Sequence, residues 1–390
     1  MTQSFLPVSP PERVLLGPGP SGVAPSVLRA LSQPTIGHLD PSFLEVMDQI
    51  RVMLRAVFQT ENELTLPMSG TGSAGMETCM VNTIEPGDSV LVAVNGVFGT
   101  RMAEVARRCG AQVTEVAGEW GRAFDVQDLR KASAGNSFKL IAIVHAETST
   151  GVLQDLGGLR EMADECGALL MLDCVTSLGG LPVELDRFGV DVAYSGTQKC
   201  LSCPPGLSPI SFSARASDVL KARKTPVQSW YLDLSLISNY WGSERAYHHT
   251  APINMLYGLH EALRLVLLEG LPERAKRHEA NARALIAGLQ VLGLEARVPS
   301  AERLAPLTAV SIPDGIDDAR LRSHLLRESS LEIGGGLGPM KGRAWRIGLM
   351  GAGSTRRNVM LCLTALRSAL SAQGRVPTGD ALAAAEAAYN

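Results

Sequence analysis

The chain predicts an α/β protein: a large domain built on a mostly parallel sheet, then a smaller α+β domain towards the C-terminus. Three observations lead there. Through the first two thirds, short and almost continuously apolar runs alternate with amphipathic stretches, the pattern of strands covered on both faces by helices. Beyond Leu292 that alternation gives way to mixed short strands and helices. The length, 390 residues with 45% hydrophobic and 19% charged positions, accommodates two or three domains at roughly 150 residues each.

The predicted strands of the large domain are Val90–Val94, Leu140–Val144, Leu169–Leu172, Val190–Tyr194 and Leu207–Phe212, all expected to run parallel. Between them Arg101–Cys109, Val126–Ala132 and Leu156–Cys166 read as helices. Ile253–Leu268 sets Leu256, Leu259, Leu263, Val266 and Leu267 on one helical face. Pro272–Leu292 opens with proline in its first turn, where no backbone donor is needed. Leu307–Ile312, Ala319–Glu328, Leu331–Ile333, Trp345–Ile347 and Arg356–Leu370 then outline the small domain. The expected division is an N-terminal arm (1–25), a large domain (26–270), a small domain (271–372) and a tail (373–390) with a short Ala-rich helix.

Composition narrows the function. The net charge is -3 and no dense Lys/Arg block exists, which argues against nucleic acid; Lys221-Ala222-Arg223-Lys224 reads as a solvated helix end. No apolar stretch reaches membrane-span length, the first residues lack signal-peptide character, and Ala388-Tyr389-Asn390 is no peroxisomal address, so a cytoplasmic protein is expected. Seven scattered cysteines do not form a disulfide framework. Cys200 and Cys203 have no second ligand pair for zinc and read as small fillers of a tight turn. Adjacent His248 and His249 would diverge on regular structure, so no metal is expected.

Chemistry concentrates between Leu169 and Gly206. One apolar strand closes on Asp173, and a second, Asp191-Val192-Ala193-Tyr194, runs through Ser195-Gly196-Thr197-Gln198 into Lys199. A lysine amine that condenses with an aldehyde, and a buried carboxylate that keeps a pyridine nitrogen protonated, fit pyridoxal 5'-phosphate. Ser69-Gly70-Thr71-Gly72-Ser73-Ala74-Gly75 precedes a helical run, Met76–Ile84, and offers a phosphate cradle. It also satisfies G-x-G-x-x-G, but Glu85 and Asp88 come too early for the acidic residue that a dinucleotide site needs about 20 positions on. Phe98, in Asn95-Gly96-Val97-Phe98-Gly99, offers a ring to stack on a cofactor. His145-Ala146-Glu147-Thr148-Ser149-Thr150-Gly151 sits at a strand end, where α/β sheets gather ligands. Arg346, on a predicted strand, carries the planar fork that pairs with a carboxylate.

Together these segments resemble the class V pyridoxal-phosphate aminotransferases, in particular the alanine/serine–glyoxylate group. The resemblance runs from Leu15-Leu16-Gly17-Pro18-Gly19-Pro20 to Arg346-Ile347-Gly348-Leu349-Met350-Gly351; Glu147–Gln154, Ser195–Gly206 and Tyr247–Thr250 are its specific segments. It implies a fold-type I homodimer with active sites at the subunit boundary. It implies Lys199 as the cofactor-linking lysine and Asp173 as the partner of the ring nitrogen. Thr71, Gly72, Ser73 and Gln198 would hold the phosphate, with Tyr247 and Thr250 from the other subunit. Thr148 would reach the ring hydroxyl and Val175 would pack on one ring face. Phe98 stands where many relatives have tryptophan, and Cys200 and Cys203 where many have alanine. Gly19, in the Gly17–Gly22 segment, would bring backbone to the substrate, and Arg346 would clamp its carboxylate. No second arginine is placed for a side-chain carboxylate, so the implied reaction moves an amino group from alanine or serine to glyoxylate, giving a 2-oxo acid and glycine. Ureidoglycine–glyoxylate transamination is the alternative, with Gly37-His38-Leu39-Asp40-Pro41 and Asn254 as the place where that choice would be made. Cysteine desulfuration would need a thiol on a mobile C-terminal loop, whereas Cys362 falls in a predicted helix. A non-catalytic binding protein would not need Lys199.

Overall fold

A computed structural model describes residues 5–390. Its centre is a seven-stranded sheet formed by β1 (Leu64–Ser69), β2 (Ser89–Val94), β3 (Gln112–Ala117), β4 (Leu140–Val144), β5 (Leu169–Asp173), β6 (Val192–Tyr194) and β7 (Leu207–Phe212). The spatial order is β1-β7-β6-β5-β4-β2-β3. Strands β2 to β6 pair in parallel, whereas β7 is antiparallel to both β6 and β1. Leu207–Phe212 is therefore not the parallel strand its apolar sequence suggests. Ser195–Gly206 contains no crossover helix and turns the chain straight back, which leaves only an antiparallel neighbour.

The sequence reading omits β1 and β3, for different reasons. Pro67 interrupts β1, and proline is tolerated there because the strand lies at the sheet edge. At the other edge, β3 is short of buried residues and carries Gln112, Thr114 and Glu115. Continuous apolar strands are a property of the sheet centre: β4 and β5 are buried along their whole length.

Helices cover both faces. The helix Pro41–Phe58 has Pro41 in its first turn, Asp40 capping Ser42 N–H, and Phe43, Met47, Ile50, Leu54, Val57 and Phe58 buried in the main core. It ends where Gln59 turns left-handed, at φ 56°. Helix α1 (Gly72–Thr83) begins four positions before the predicted Met76, so the glycine-rich loop is already its first turn. Helix α2 (Val97–Arg108) likewise starts before the predicted Arg101 and carries Phe98 in that turn. Arg223 is no solvated helix end: its Nη1 donates to the carbonyls of Asn82 and Ile84, closing off α1.

A second hydrophobic cluster gathers the C-terminal elements. Its sheet pairs β8 (Leu307–Ser311), β9 (Gly334–Gly335) and β10 (Ala344–Gly348), with β10 central. Helices α3 (Ile253–Glu269) and α4 (Leu271–Val291) lead into it, and Trp345, Val310, Leu321 and Leu366 are fully buried there. Two terminal segments join the same cluster. Val14–Leu15 pairs in parallel with Leu331–Glu332 and buries Leu16. The stretch read as a tail forms helix Ala381–Ala387, with Ala381 and Ala385 buried.

Candidate active site

Because β1 runs parallel to β6, the C-terminal ends of six strands lie along one edge of the sheet, the position where open α/β sheets bind ligands. Asp173 closes β5 there, and β6 leads from Tyr194 into the turn bearing Lys199. Asp173 is buried. Its Oδ1 accepts the Val175 N–H at 2.9 Å and its Oδ2 accepts the Tyr194 hydroxyl at 2.5 Å. Burial pushes this carboxyl up to about 7, against the pull of both donors.

Lys199 is buried too, and its ammonium donates to the Pro18 carbonyl. Burial first, then the charge of Arg346, lowers its pKa to about 8, within reach of a neutral, nucleophilic amine. Gly19 packs so closely that a Cβ there would lie 2.6 Å from Lys199 Nζ, and its φ of +106° also favours glycine. The Ser21 hydroxyl donates to the Lys199 carbonyl at 2.7 Å, fixing the turn from the same side.

The glycine-rich segment expected to cradle a phosphate lies beside this pair. Thr71 occupies the N-cap of α1 without using its side chain to cap the helix, so its hydroxyl and the N–H groups of Gly72 and Ser73 have no helical partners, whereas the Ala74 N–H donates to the Thr71 carbonyl at 2.8 Å. Ser73 is exposed in that turn, whereas Gly72 is buried, its hypothetical Cβ 3.3 Å from Val175 Cγ2. Gly75, further along, would drive a Cβ into Ser208 Oγ, so this glycine serves packing. Gln198 Oε1 is buried and has no hydrogen-bond partner among the described residues.

Thr148 Oγ1 shares a 2.9 Å hydrogen bond with Thr176 Oγ1, and the Thr148 carbonyl accepts Arg346 Nη1 at 3.2 Å. Arg346 Nε donates to the Gly335 carbonyl at 2.8 Å, which leaves Nη2 and one Nη1 hydrogen without a partner among the described residues. Phe98 is half-buried, with the Arg101 guanidinium 5.2 Å from its ring centroid. Its N–H donates to Glu147 Oε2 at 3.2 Å, while Glu147 Oε1 accepts both the N–H and the hydroxyl of Ser149. Glu147 is thus the buried carboxylate that ties the Phe98 turn to the Thr148 segment, a role the sequence reading leaves unassigned. Tyr194 is likewise missed; its signal is a polar aromatic among Val192 and Ala193.

Tyr247 and Thr250 are not hydrogen-bonded into this group. They face each other at 3.5 Å, Tyr247 is 61% exposed, and neither hydrogen-bonds to Thr71, Ser73 or Gln198. His248 and His249 do not diverge: they lie in an irregular segment with their Nδ1 atoms 2.8 Å apart, His248 stacks on Trp230, and His249 Nε2 pairs with Ser69 Oγ. No cluster of three metal-ligating side chains occurs among the described residues. Asn254 is committed to its own chain, with Nδ2 donating to the Leu31 and Gln33 carbonyls and Oδ1 accepting the Thr35 hydroxyl.

A lysine amine, a carboxylate at a strand end and a helix N-terminus thus gather at one edge of the sheet. The Aminotransferase class-V family model matches residues 25–339. The chain is a class V aminotransferase. It is 42% identical to the alanine–glyoxylate aminotransferase of Callithrix jacchus over 368 residues, 93% of this chain and 89% of that one. It is 39% identical to the (S)-ureidoglycine–glyoxylate transaminase of Bacillus subtilis (strain 168), over 97% and 96% of the two chains. The crystal structure of the alanine–glyoxylate aminotransferase from Nostoc sp. superposes with a TM-score of 0.93 at 49% identity, covering 94% of this chain and 98% of that one. The cofactor of this aminotransferase is pyridoxal 5'-phosphate, and this edge of the sheet offers an amine for its aldehyde, a carboxylate for its ring nitrogen and helix N–H donors for its phosphate. Among the described residues no helix is long and apolar enough to cross a membrane.

Proposed function

We propose that this aminotransferase moves the amino group of a small amino acid, alanine or serine, to glyoxylate, releasing a 2-oxo acid and glycine. The observation that carries the reading is the placement of Arg346, whose free guanidinium hydrogens adjoin Thr148 and whose charge acts on Lys199. The relatives named for glyoxylate transamination support the acceptor.

Pyridoxal 5'-phosphate supplies an electron sink for the bond-breaking at the substrate α-carbon. Everything else falls to the chain. Lys199 would hold the cofactor through its amine and move the substrate α-proton as general base and acid. Asp173 holds the ring nitrogen protonated. Thr71, Gly72, Ser73 and Gln198 bind the phosphate, Phe98 and Val175 enclose the ring, and Thr148 orients its hydroxyl side. Gly19 admits the substrate beside Lys199, and Arg346 holds the α-carboxylate of donor and acceptor in turn.

The active unit in this reading is a homodimer. The exposed Tyr247 and Thr250, which make no hydrogen bond to the phosphate residues of their own chain, complete the site of the second subunit. The large unit spans 26–270 and the small one 271–372, with an N-terminal arm before them and a tail after, and the protein works in the cytoplasm. The ureidoglycine–glyoxylate reaction is the second reading, favoured by the near full-length match to the Bacillus subtilis enzyme. Cysteine desulfuration lacks its nucleophile: Cys362 is buried and burial pushes its thiol up to about 12. Screening amino donors against glyoxylate, with products identified by mass spectrometry, tests the proposal. Alanine or serine giving glycine at the highest kcat/KM supports it; a requirement for ureidoglycine, or no glycine from any donor, overturns it.

A further inference from the structure

Tyr194 is fully buried on β6, directly opposite Asp173 in the parallel register of β5 and β6. Its surroundings are those of a phenylalanine. Val192 and Ala193 precede it on the strand, and α1 packs over it so closely that a Cβ on Gly75 would lie 3.3 Å from Tyr194 Cβ. The hydroxyl makes one hydrogen bond among the described residues, to Asp173 Oδ2 at 2.5 Å. A phenol placed in a dry site for a single carboxylate partner stabilises the charged form of that partner.

Resting on the cofactor reading above, we propose that Tyr194 is a positioning residue: its hydroxyl keeps Asp173 ionised and fixed in orientation, so that a pyridine nitrogen bound there carries the proton. Asp173 needs this help. The other donor, Val175 N–H, occupies Oδ1 alone. Glu147 opposes ionisation of Asp173, and Lys199 favours it. Cys79 on α1 and Cys174 after β5 contribute no compensating charge, because burial holds both thiols protonated. His145, whose backbone N–H donates to the Asp173 carbonyl, is kept neutral by burial, with its pKa near 4. Tyr194 itself stays protonated, since burial and the adjacent carboxylate push its own ionisation upward. Each Asp173 oxygen accepts from one protein donor and retains a lone pair for the ring. Without the hydroxyl, the proton shared between carboxylate and ring moves towards the carboxylate.

The test compares the full-length protein with Tyr194→Phe and with 4-aminophenylalanine at position 194, a weaker donor of similar size. Each is loaded with pyridoxal 5'-phosphate labelled with 15N in the ring, or with the analogue that has carbon in place of the ring nitrogen. In the wild type the 15N shift is that of a protonated pyridine. Tyr194→Phe should move it towards neutral pyridine and weaken cofactor binding by about tenfold or more. The carbon analogue should bind both proteins alike, and the amino variant should lie between them. If Tyr194→Phe does not fold, the intermediate 15N shift of the amino variant carries the test. An unchanged 15N shift, or an equal loss of affinity for both cofactors, means that Tyr194 only fills space and overturns the proposal. Wild-type protein that takes up no cofactor would instead refute the cofactor reading itself.

Discussion

Arg274 donates Nη2 to the carbonyl of Cys200 at 2.6 Å, placing a buried guanidinium on the residue that follows Lys199. The same side chain reaches the Gly179 carbonyl and the carboxylate of Glu269. Glu269 also receives Arg277, which donates in turn to the carbonyls of Gly351 and Ser354. His278 extends the network, accepting the Gly351 N–H at Nε2 and pairing through Nδ1 with the Arg274 carbonyl. The junction of α3 and α4 therefore braces the lysine turn against the loop that follows β10. Ser202, at φ 54°, closes the contact by accepting the Ala352 N–H.

Removing one member of this network leaves the others buried and unpaired. Arg274→Ala should cost about 3 kcal/mol of stability, since breaking a buried pair costs about 3–5 kcal/mol. The expected pH dependence has a definite sign. Burial alone would raise the Glu269 acid, yet hydrogen bonds from Arg277 and Arg274 bring it down to about 2 from an ordinary 4.5. Its contribution is therefore present above pH 4.5 and disappears as pH falls towards 2. Urea unfolding of wild type and Glu269→Gln between pH 6 and about pH 3 checks this: the wild-type midpoint should fall more steeply.

Lys199 gives a kinetic counterpart. Condensation with an aldehyde requires the neutral amine, so cofactor uptake by the apoprotein should accelerate with pH and level off above about 8. Stopped-flow absorbance reads the rate. Borohydride should then fix the cofactor on one peptide, the one containing Lys199, and Lys199→Ala should lose turnover by orders of magnitude. A label on another lysine would remove Lys199 from its assigned role.

Arg346 is expected to act in both half-reactions, because donor and acceptor each carry a carboxylate beside the reacting carbon. Arg346→Lys should raise the KM for amino acid and glyoxylate together, with the absorbance of the bound cofactor unchanged, because lysine cannot reproduce the planar fork. Arg346→Ala should lose about 2–5 kcal/mol in transition-state binding. Unaltered kinetics with either substrate would make the arginine purely structural, consistent with its bonds to Gly335 and Thr148.

Tyr247 and Thr250 supply the assembly test. Dimers mixed from Lys199→Ala chains and Tyr247→Phe/Thr250→Ala chains should regain partial activity, because one of their two sites combines both intact halves. Either parent alone should be nearly inactive. A fully active monomer at high dilution would remove the need for a second subunit.

The local chemistry of the site was legible because it depends on residue type and strand position. The apolar runs ending at Asp173 and Tyr194, the glycine-rich segment at Thr71 and the lysine after Gln198 announced themselves, as did the class of cofactor they serve. The edge strands were not legible, since Leu64–Ser69 contains a proline and Gln112–Ala117 is largely polar. Helix starts were read late for a related reason: Gly72, Val97 and Phe98 have weak helical preference, and packing of the first turn sets the boundary.

Sequence by itself determined the sheet-and-helix alternation, the position of Asp173 at a strand end with Lys199 in the turn after the next strand, and the absence of a dense basic patch. These follow from hydrophobic period and side-chain chemistry, which act over a few neighbouring residues. Tertiary structure decided the reversal of Leu207–Phe212, the burial of Ala381 and Ala385, and the partners of Asp173, Glu147 and Arg274. Those contacts join residues far apart in the chain, and each exists because a buried polar group must find a partner wherever the fold brings one.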